Sequence, residues 1–283
     1  MESERVNGVR LAYEMTGAGD VPLVAIHGSW SSHETWSQVA PELSERYRVL
    51  TYDRRGHSAS ERPAGQGTQH EDVEDAAALI ERLGLAPAFV MGNSFGAEVA
   101  ILLAAERPDL VRGLVAHEPP FLPVLKERPE YSTMMSEAEG DIAPVLERIR
   151  GGDHAGAAEL FVDTVAIGPG SWAHLPESMR SRMIENAPTF LDEESDPGNG
   201  TIDLARLGRF GGPALLTLGD QSPPMFAPIV RIIVEALPQA ELLSFAGAGH
   251  IPHTTHPREF AEAVTAFIDK QEGETDGTAR SAV

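Results

Sequence analysis

The stretch "PAFVMGNSFGAEVAILLAAERP", residues 87 to 108, leaves this chain few ways to fold. An apolar strand runs into "GNSFG", Gly92 to Gly96, and a long apolar helix follows at once, stopped before Pro108. A chain that passes from buried strand to buried helix within five residues must bend sharply. Glycine, lacking a Cβ, lets the two elements close on each other around such a bend. Ser94 between the glycines completes G-x-S-x-G, a pattern that holds the serine on a strained turn with its hydroxyl exposed above a sheet. Five residues match by chance often; the strand before and the helix after make this match specific.

The same rhythm extends along the chain. Asn7-Gly8 inside "RVNGVRLAYEMTG" signals a hairpin. Apolar strands follow in "VPLVAIHG", "YRVLTYD", "VRGLVAHE", "GPALLTLG" and "ELLSFAG". Helical patterns separate them at residues 33–45, 69–83, 225–237 and 257–269. Buried strands alternating with helices predict an α/β fold, a mostly parallel sheet covered on both faces. Residues 120–207 break the rhythm, with helical stretches near 142–150, 154–166 and 176–186 and no convincing strand. They read as a helical cap inserted into a core formed by residues 1–119 and 208–270, because ligand sites lie beyond the carboxyl ends of parallel strands. The polar tail "QEGETDGTARSAV", residues 271–283, reads as disordered.

Composition narrows the partners. A formal charge of -21 argues against nucleic acid and anionic membranes, which attract basic surfaces. The absence of cysteine excludes disulfides, thiol nucleophiles and cysteine-based zinc sites. The first residues, "MESERVNGVR", have no apolar signal-peptide core, and no segment approaches the roughly 20 apolar residues of a membrane span. A soluble cytoplasmic protein is the expectation, and a homodimer is compatible with it.

Serine is a poor nucleophile while protonated and needs a neighbouring base. "AGAGHIPH", after the last strand, offers His250 in a glycine-flanked loop. His253 and His256 extend it to H-x-x-H-x-x-H, but Pro252 and Pro257 prevent one helix from aligning the rings, so no metal site is expected. "HGSW", His27 to Trp30, follows the third strand. The backbone N–H groups of Ser29 and Phe95 are the candidate donors to a developing oxyanion.

"HGSW", "YDRRGHSAS", "GNSFG" and "GAGHIPH", in that order, resemble the α/β-hydrolase family over nearly the full chain, tail excluded. The resemblance implies an eight-stranded sheet antiparallel only in its first strands, with Asp53, Arg54, Arg55 and Gly56 as scaffold. It also implies an aspartate at the third position after Gly219, where this chain has Ser222. Two carboxylates remain as the group that orients the base. Asp220 stands two residues early and is stiffened by Pro223-Pro224. Glu118 ends the sixth strand, which should lie ~4.8 Å from the strand leading to Ser94. Glu118 is favoured and Asp220 is its rival; a glutamate in a similar "HE" step is found in the zearalenone lactonases, which this chain resembles. His117 is expected to point away from Glu118 and to be structural.

The expected activity is hydrolysis of a small-molecule carboxylic ester or lactone through an acyl-enzyme, with Ser94, His250 and Glu118 as triad and no cofactor. A serine at the elbow departs from dehalogenases and epoxide hydrolases, which resemble the family but place an aspartate there. Carbon–carbon bond hydrolases, haloperoxidase-like enzymes and non-catalytic ligand receptors are the alternatives on the same scaffold. Trp30, Trp172, Met134 and Phe190 are candidates to line the substrate pocket, or else to form the core of the cap.

Overall fold

The computed structural model describes residues 1–281. Eight strands form one sheet: β1 (Glu2–Val6), β2 (Val9–Thr16), β3 (Pro22–Ile26), β4 (Arg48–Tyr52), β5 (Ala88–Asn93), β6 (Val111–His117), β7 (Ala214–Gly219) and β8 (Ala240–Phe245). Their spatial order is β1-β2-β4-β3-β5-β6-β7-β8. β2 runs antiparallel to β1 and β4, and all other pairs are parallel. Asn7 and Gly8 turn the first hairpin with φ of 46° and 78°, the left-handed backbone that a two-residue hairpin demands.

Ten helices accompany the sheet among the described residues: α1 (Ala40–Ser44), α2 (Gln69–Arg82), α3 (Phe95–Glu106), α4 (Ser132–Arg150), α5 (His154–Phe161), α6 (Glu177–Ser195), α7 (Leu204–Leu207), α8 (Phe226–Ala236), α9 (Pro252–Thr255) and α10 (Pro257–Ser281). Strand alternation sorts the core into two layers. Val24, Ile26 and Val90 pack with α2, α3 and α8, while Leu23, Ala25, Phe89 and Met91 face α1 and α10. Among these described residues no helix is long and apolar enough to cross a membrane.

The elements depart from the sequence reading in three places. Residues 33–45 are not one helix: a 3₁₀ turn over His33–Trp36 precedes α1, which restarts where Pro41, lacking an N–H, is tolerated in a first turn. The insert helices α4 and α6 are longer than expected and continue through Pro144 and Pro188. The tail expected to be disordered from residue 271 continues α10 to Ser281, and Arg112 donates to Glu272 near its start at 2.7 Å; residues 282–283 lie outside the described part.

Helices α4, α5 and α6 share a small apolar core built on Val145, Ile149, Ala158, Ala187 and Phe190, with Trp30 of the sheet side packed into it. Leu207 of α7 instead joins the main core with α3 and α8. Buried ionisable groups close the joint between insert and sheet. The fully buried Arg54 donates to Asp72 on α2 and to Glu193 on α6. Glu98 on α3 is also fully buried and accepts from the Gly200 N–H at 3.2 Å.

Burial pushes the Glu98 carboxyl up to about 8 from 4.5. The stability linked to it is therefore complete below the unfolded value and lost as pH rises through the folded one. Glu98→Gln removes the ionisation. Its melting temperature should gain several degrees on the native protein between pH 6 and pH 8. Parallel melting curves across that range would show that Glu98 enters the fold already charged.

Candidate active site

The site lies where β3, β5, β6 and the β8–α9 loop end on the same side of the sheet. β5 delivers Ser94 at φ 56° and ψ -127°, outside the region most residues occupy. The flanking glycines are sterically compelled: a Cβ on Gly92 would stand 2.2 Å from the Gly96 carbonyl oxygen, and one on Gly96 would stand 2.1 Å from that of Ile26. Glu118 (φ 49°) and Trp30 (φ 63°) share this left-handed backbone. Strain of this kind is retained only where surrounding structure over-determines it, and it clusters at functional sites.

Register then brings the polar groups together. Asn93 of β5 pairs with His117 of β6, and His117 pairs with Thr217 of β7. The Ser94 N–H bonds the His117 carbonyl at 2.9 Å, so Ser94 and Glu118 leave adjacent strands at the same level. Asn93 reaches across to the His250 carbonyl at 2.8 Å and ties down that loop. His250 Nδ1 lies 2.6 Å from Glu118 Oε2. The other carboxylate oxygen accepts from the Gly219 N–H at 2.7 Å. Gly219 has no alternative residue: its Cβ would stand 2.4 Å from the Ala248 carbonyl. Asp220 is exposed and turned elsewhere, accepting from the Gly247 N–H at 2.8 Å. Ser222 buries a hydroxyl with no hydrogen-bond partner.

Burial alone pushes the Glu118 carboxyl up, but the neighbouring His117 imidazole and the hydrogen-bonded His250 outweigh it and hold the group well below the usual carboxylate range. Glu118 is thus a carboxylate at neutral pH. His117 does not point away from it as strand alternation predicts. Alternation ends where Glu118 takes its left-handed φ, and His117 Nε2 comes to 3.5 Å from Glu118 Oε2. Phe226 at the start of α8 lies flat on the His250 ring, with centroids 4.3 Å apart and planes 13° from parallel.

Gly28 brings the β3 loop onto the elbow, where an added Cβ would lie 3.1 Å from that of Ser94. Ser29 lines the cavity beside Ser94. Phe95 is the first residue of α3, so its N–H has no acceptor within the helix. The guanidinium of Arg54 sits 4.4 Å over the Phe95 ring and fixes that turn from behind.

Ser94, Ser29 and His250 line two chambers. The larger, about 440 Å³, is bounded by Phe95, Pro120, Met135, Ile142, Phe190 and Phe226. The smaller, about 90 Å³, is bounded by Trp30, Ile167, Leu175, Met179, Arg182 and Met183. Phe161 and Ala166 border both. They flank the point where α5 loosens into a π turn, which closes with the Ile167 N–H on the Val162 carbonyl at 3.1 Å. Of the four expected pocket residues, Trp30 and Phe190 reach a chamber. Trp172 packs on the insert core instead, and Met134 packs on the main core while its neighbour Met135 faces the chamber.

Among the described residues, one group has the composition and proximity of a metal site: His117, Glu118 and His250. Zinc ligands about 2.1 Å from the ion stand roughly 3.4 Å apart in a tetrahedron. The 2.6 Å between His250 Nδ1 and Glu118 Oε2 is a hydrogen bond and does not fit that arrangement. His253 bonds Thr35 at 2.9 Å and packs near Trp36, while His256 bonds Thr255, so each ring has its own partner.

Residues 23–263 match the model of the alpha/beta hydrolase family. The chain belongs to that family. This hydrolase is 27% identical to the sn-1-specific diacylglycerol lipase ABHD11 of Mus musculus, over 94% of its own length and 88% of the relative's. It is 30% identical to the pimeloyl-[acyl-carrier protein] methyl ester esterase of Edwardsiella ictaluri, over 92% and 97% of the two chains. In fold it resembles the enol-lactonase of Burkholderia xenovorans LB400, with a TM-score of 0.76 and 20% identity over 95% of this chain and 100% of that one.

Proposed function

We propose that this hydrolase cleaves a carboxylic ester or lactone through an acyl-enzyme on Ser94. The reading is carried by one observation: a serine on a strained elbow opens into the same cavity as a histidine whose Nδ1 is held at 2.6 Å by a buried carboxylate. With Nδ1–H committed to Glu118, Nε2 is the nitrogen free to take the Ser94 proton. The serine oxygen attacks the carbonyl carbon, and the N–H groups of Ser29 and Phe95 receive the oxyanion. His250 returns the proton to the leaving alcohol, and Glu118 stabilises the imidazolium meanwhile. Water, deprotonated by His250, then releases the acid and regenerates Ser94.

The relatives named for lipase, methyl ester esterase and enol-lactonase activity support this reaction class. The unequal chambers indicate a substrate that is bulky on one side of the scissile bond and small on the other. A panel of p-nitrophenyl esters, bulky methyl and aryl esters and lactones tests this. Turnover is expected, with esters that are large on both sides the poorest. Failure to hydrolyse any ester or lactone, together with failure of a fluorophosphonate to label Ser94, would leave the fold as a ligand receptor.

A further inference from the structure

The triad reading leaves one buried polar group unused. His117 is fully buried, yet its Nε2 has no hydrogen-bond partner at ordinary distance. That nitrogen stands 3.5 Å from Glu118 Oε2, the oxygen that also accepts from His250. On the far side of the ring, Nδ1 lies 2.8 Å from the Thr217 hydroxyl. A buried imidazole with one nitrogen against a hydroxyl and the other facing a carboxylate has a favoured tautomer. Thr217 donates to Nδ1, and the hydrogen on Nε2 points at Glu118.

We infer that His117 is a positioning residue, which holds the Glu118 carboxylate toward His250 and shares its charge through an N–H set by Thr217. The inference rests on the Ser94–His250–Glu118 reading. Contacts that are long in a resting site commonly tighten when charge develops, and the charge here develops on His250 as Ser94 loses its proton. Burial and His250 push the His117 imidazole down, while Glu118 and the Gly249 carbonyl beside it pull it up; the balance is downward, so the ring is neutral and carries a single N–H. The titratable groups around it are Glu118, His250 and His253, and burial holds His253 neutral at about 3. The Phe245 ring lies beside it, with centroids 6.2 Å apart.

The sharing has a sign. While His117 donates to Glu118, part of the carboxylate charge is neutralised, and protonated His250 is stabilised less than it would be by a free carboxylate. Removing the donor gives His250 the whole charge, so the protonated, inactive form persists to higher pH.

His117→Phe keeps an aromatic ring but no donor. The acid limb of its kcat/KM–pH profile should move upward by about half a pH unit or more, with kcat about tenfold lower. His117→Gln, whose amide can present an N–H near the Nε2 position, should restore the limb. The limb is read from relative rates, so a fall in the active fraction does not move it. An unmoved limb in His117→Phe, or equal movement in His117→Gln, overturns the assignment. If His117→Phe does not fold, Thr217→Val against Thr217→Ser asks the same question. The limb should move in the valine variant only, and identical profiles overturn the inference. Glu118→Gln in parallel separates the two levels: native turnover in that variant defeats the triad reading itself. A collapse there beside an unmoved His117→Phe limb defeats only the role of His117.

Discussion

Ser94→Ala is expected to lower kcat for ester turnover by about 10⁶-fold, the scale on which removing the nucleophile of a triad acts. The substitution deletes one oxygen on a backbone that the glycine contacts already compel into its strained form. Fold and melting temperature should therefore survive while the bond-forming atom is lost. The residual rate would come from the proposed oxyanion donors and from binding alone, because the N–H groups of Ser29 and Phe95 belong to the backbone. Labelling by a fluorophosphonate should disappear together with activity. A variant that keeps more than about one per cent of native turnover cannot be reconciled with an acyl-enzyme on Ser94.

Glu118→Gln should cost about 10⁴-fold in kcat, while Asp220→Asn should stay within about twofold of the native enzyme. The amide preserves size and can still accept one bond from Gly219. It carries no charge to stabilise the imidazolium, and its NH₂ group would then face both His250 and His117 nitrogens, which meet the same carboxylate oxygen. Asp220 is exposed, and its side chain serves the Gly247 N–H, a bond that asparagine can also accept. Rates measured with one ester under saturating conditions decide between them. If Asp220→Asn collapses and Glu118→Gln does not, the acid belongs to the β7 turn after all.

Both residues could be nominated from the sequence because strand ends are legible there. An apolar run that stops at Glu118 before Pro119-Pro120 marks the point where β6 leaves the sheet, and the glycines around Ser94 mark the elbow. The unbroken apolar runs of β3 and β5, set between helices, foretold a sheet covered on two faces, and successive residues of each strand fall into the two core layers. Sequence periodicity failed where a local rule was overridden. Pro41 restarts a helix that the pattern joins, whereas α4 and α6 run through prolines because packing holds them. His117 obeys strand alternation as far as β6 lasts, and the positive φ of Glu118 then turns the two side chains together. Trp172 and Met134 are apolar residues of the insert like Phe190 and Met135, but only the latter pair reaches a chamber. That difference depends on helix rotation, which composition does not carry.

The amino-acid order alone determined the alternating α/β architecture, the bend at Ser94 and the candidacy of His250, because short-range sterics and hydrophobic period dictate each of them. It also placed the break in the pattern that became the helical insert. Tertiary structure decided the rest: which carboxylate meets His250, what role Gly219 plays, and where the two chambers divide. Those outcomes depend on the register between β5, β6 and β7 and on how α4, α5 and α6 settle over the strand ends. The sequence has Ser222 where an aspartate is expected. In the fold, the backbone N–H of Gly219 binds the glutamate that arrives from the neighbouring strand.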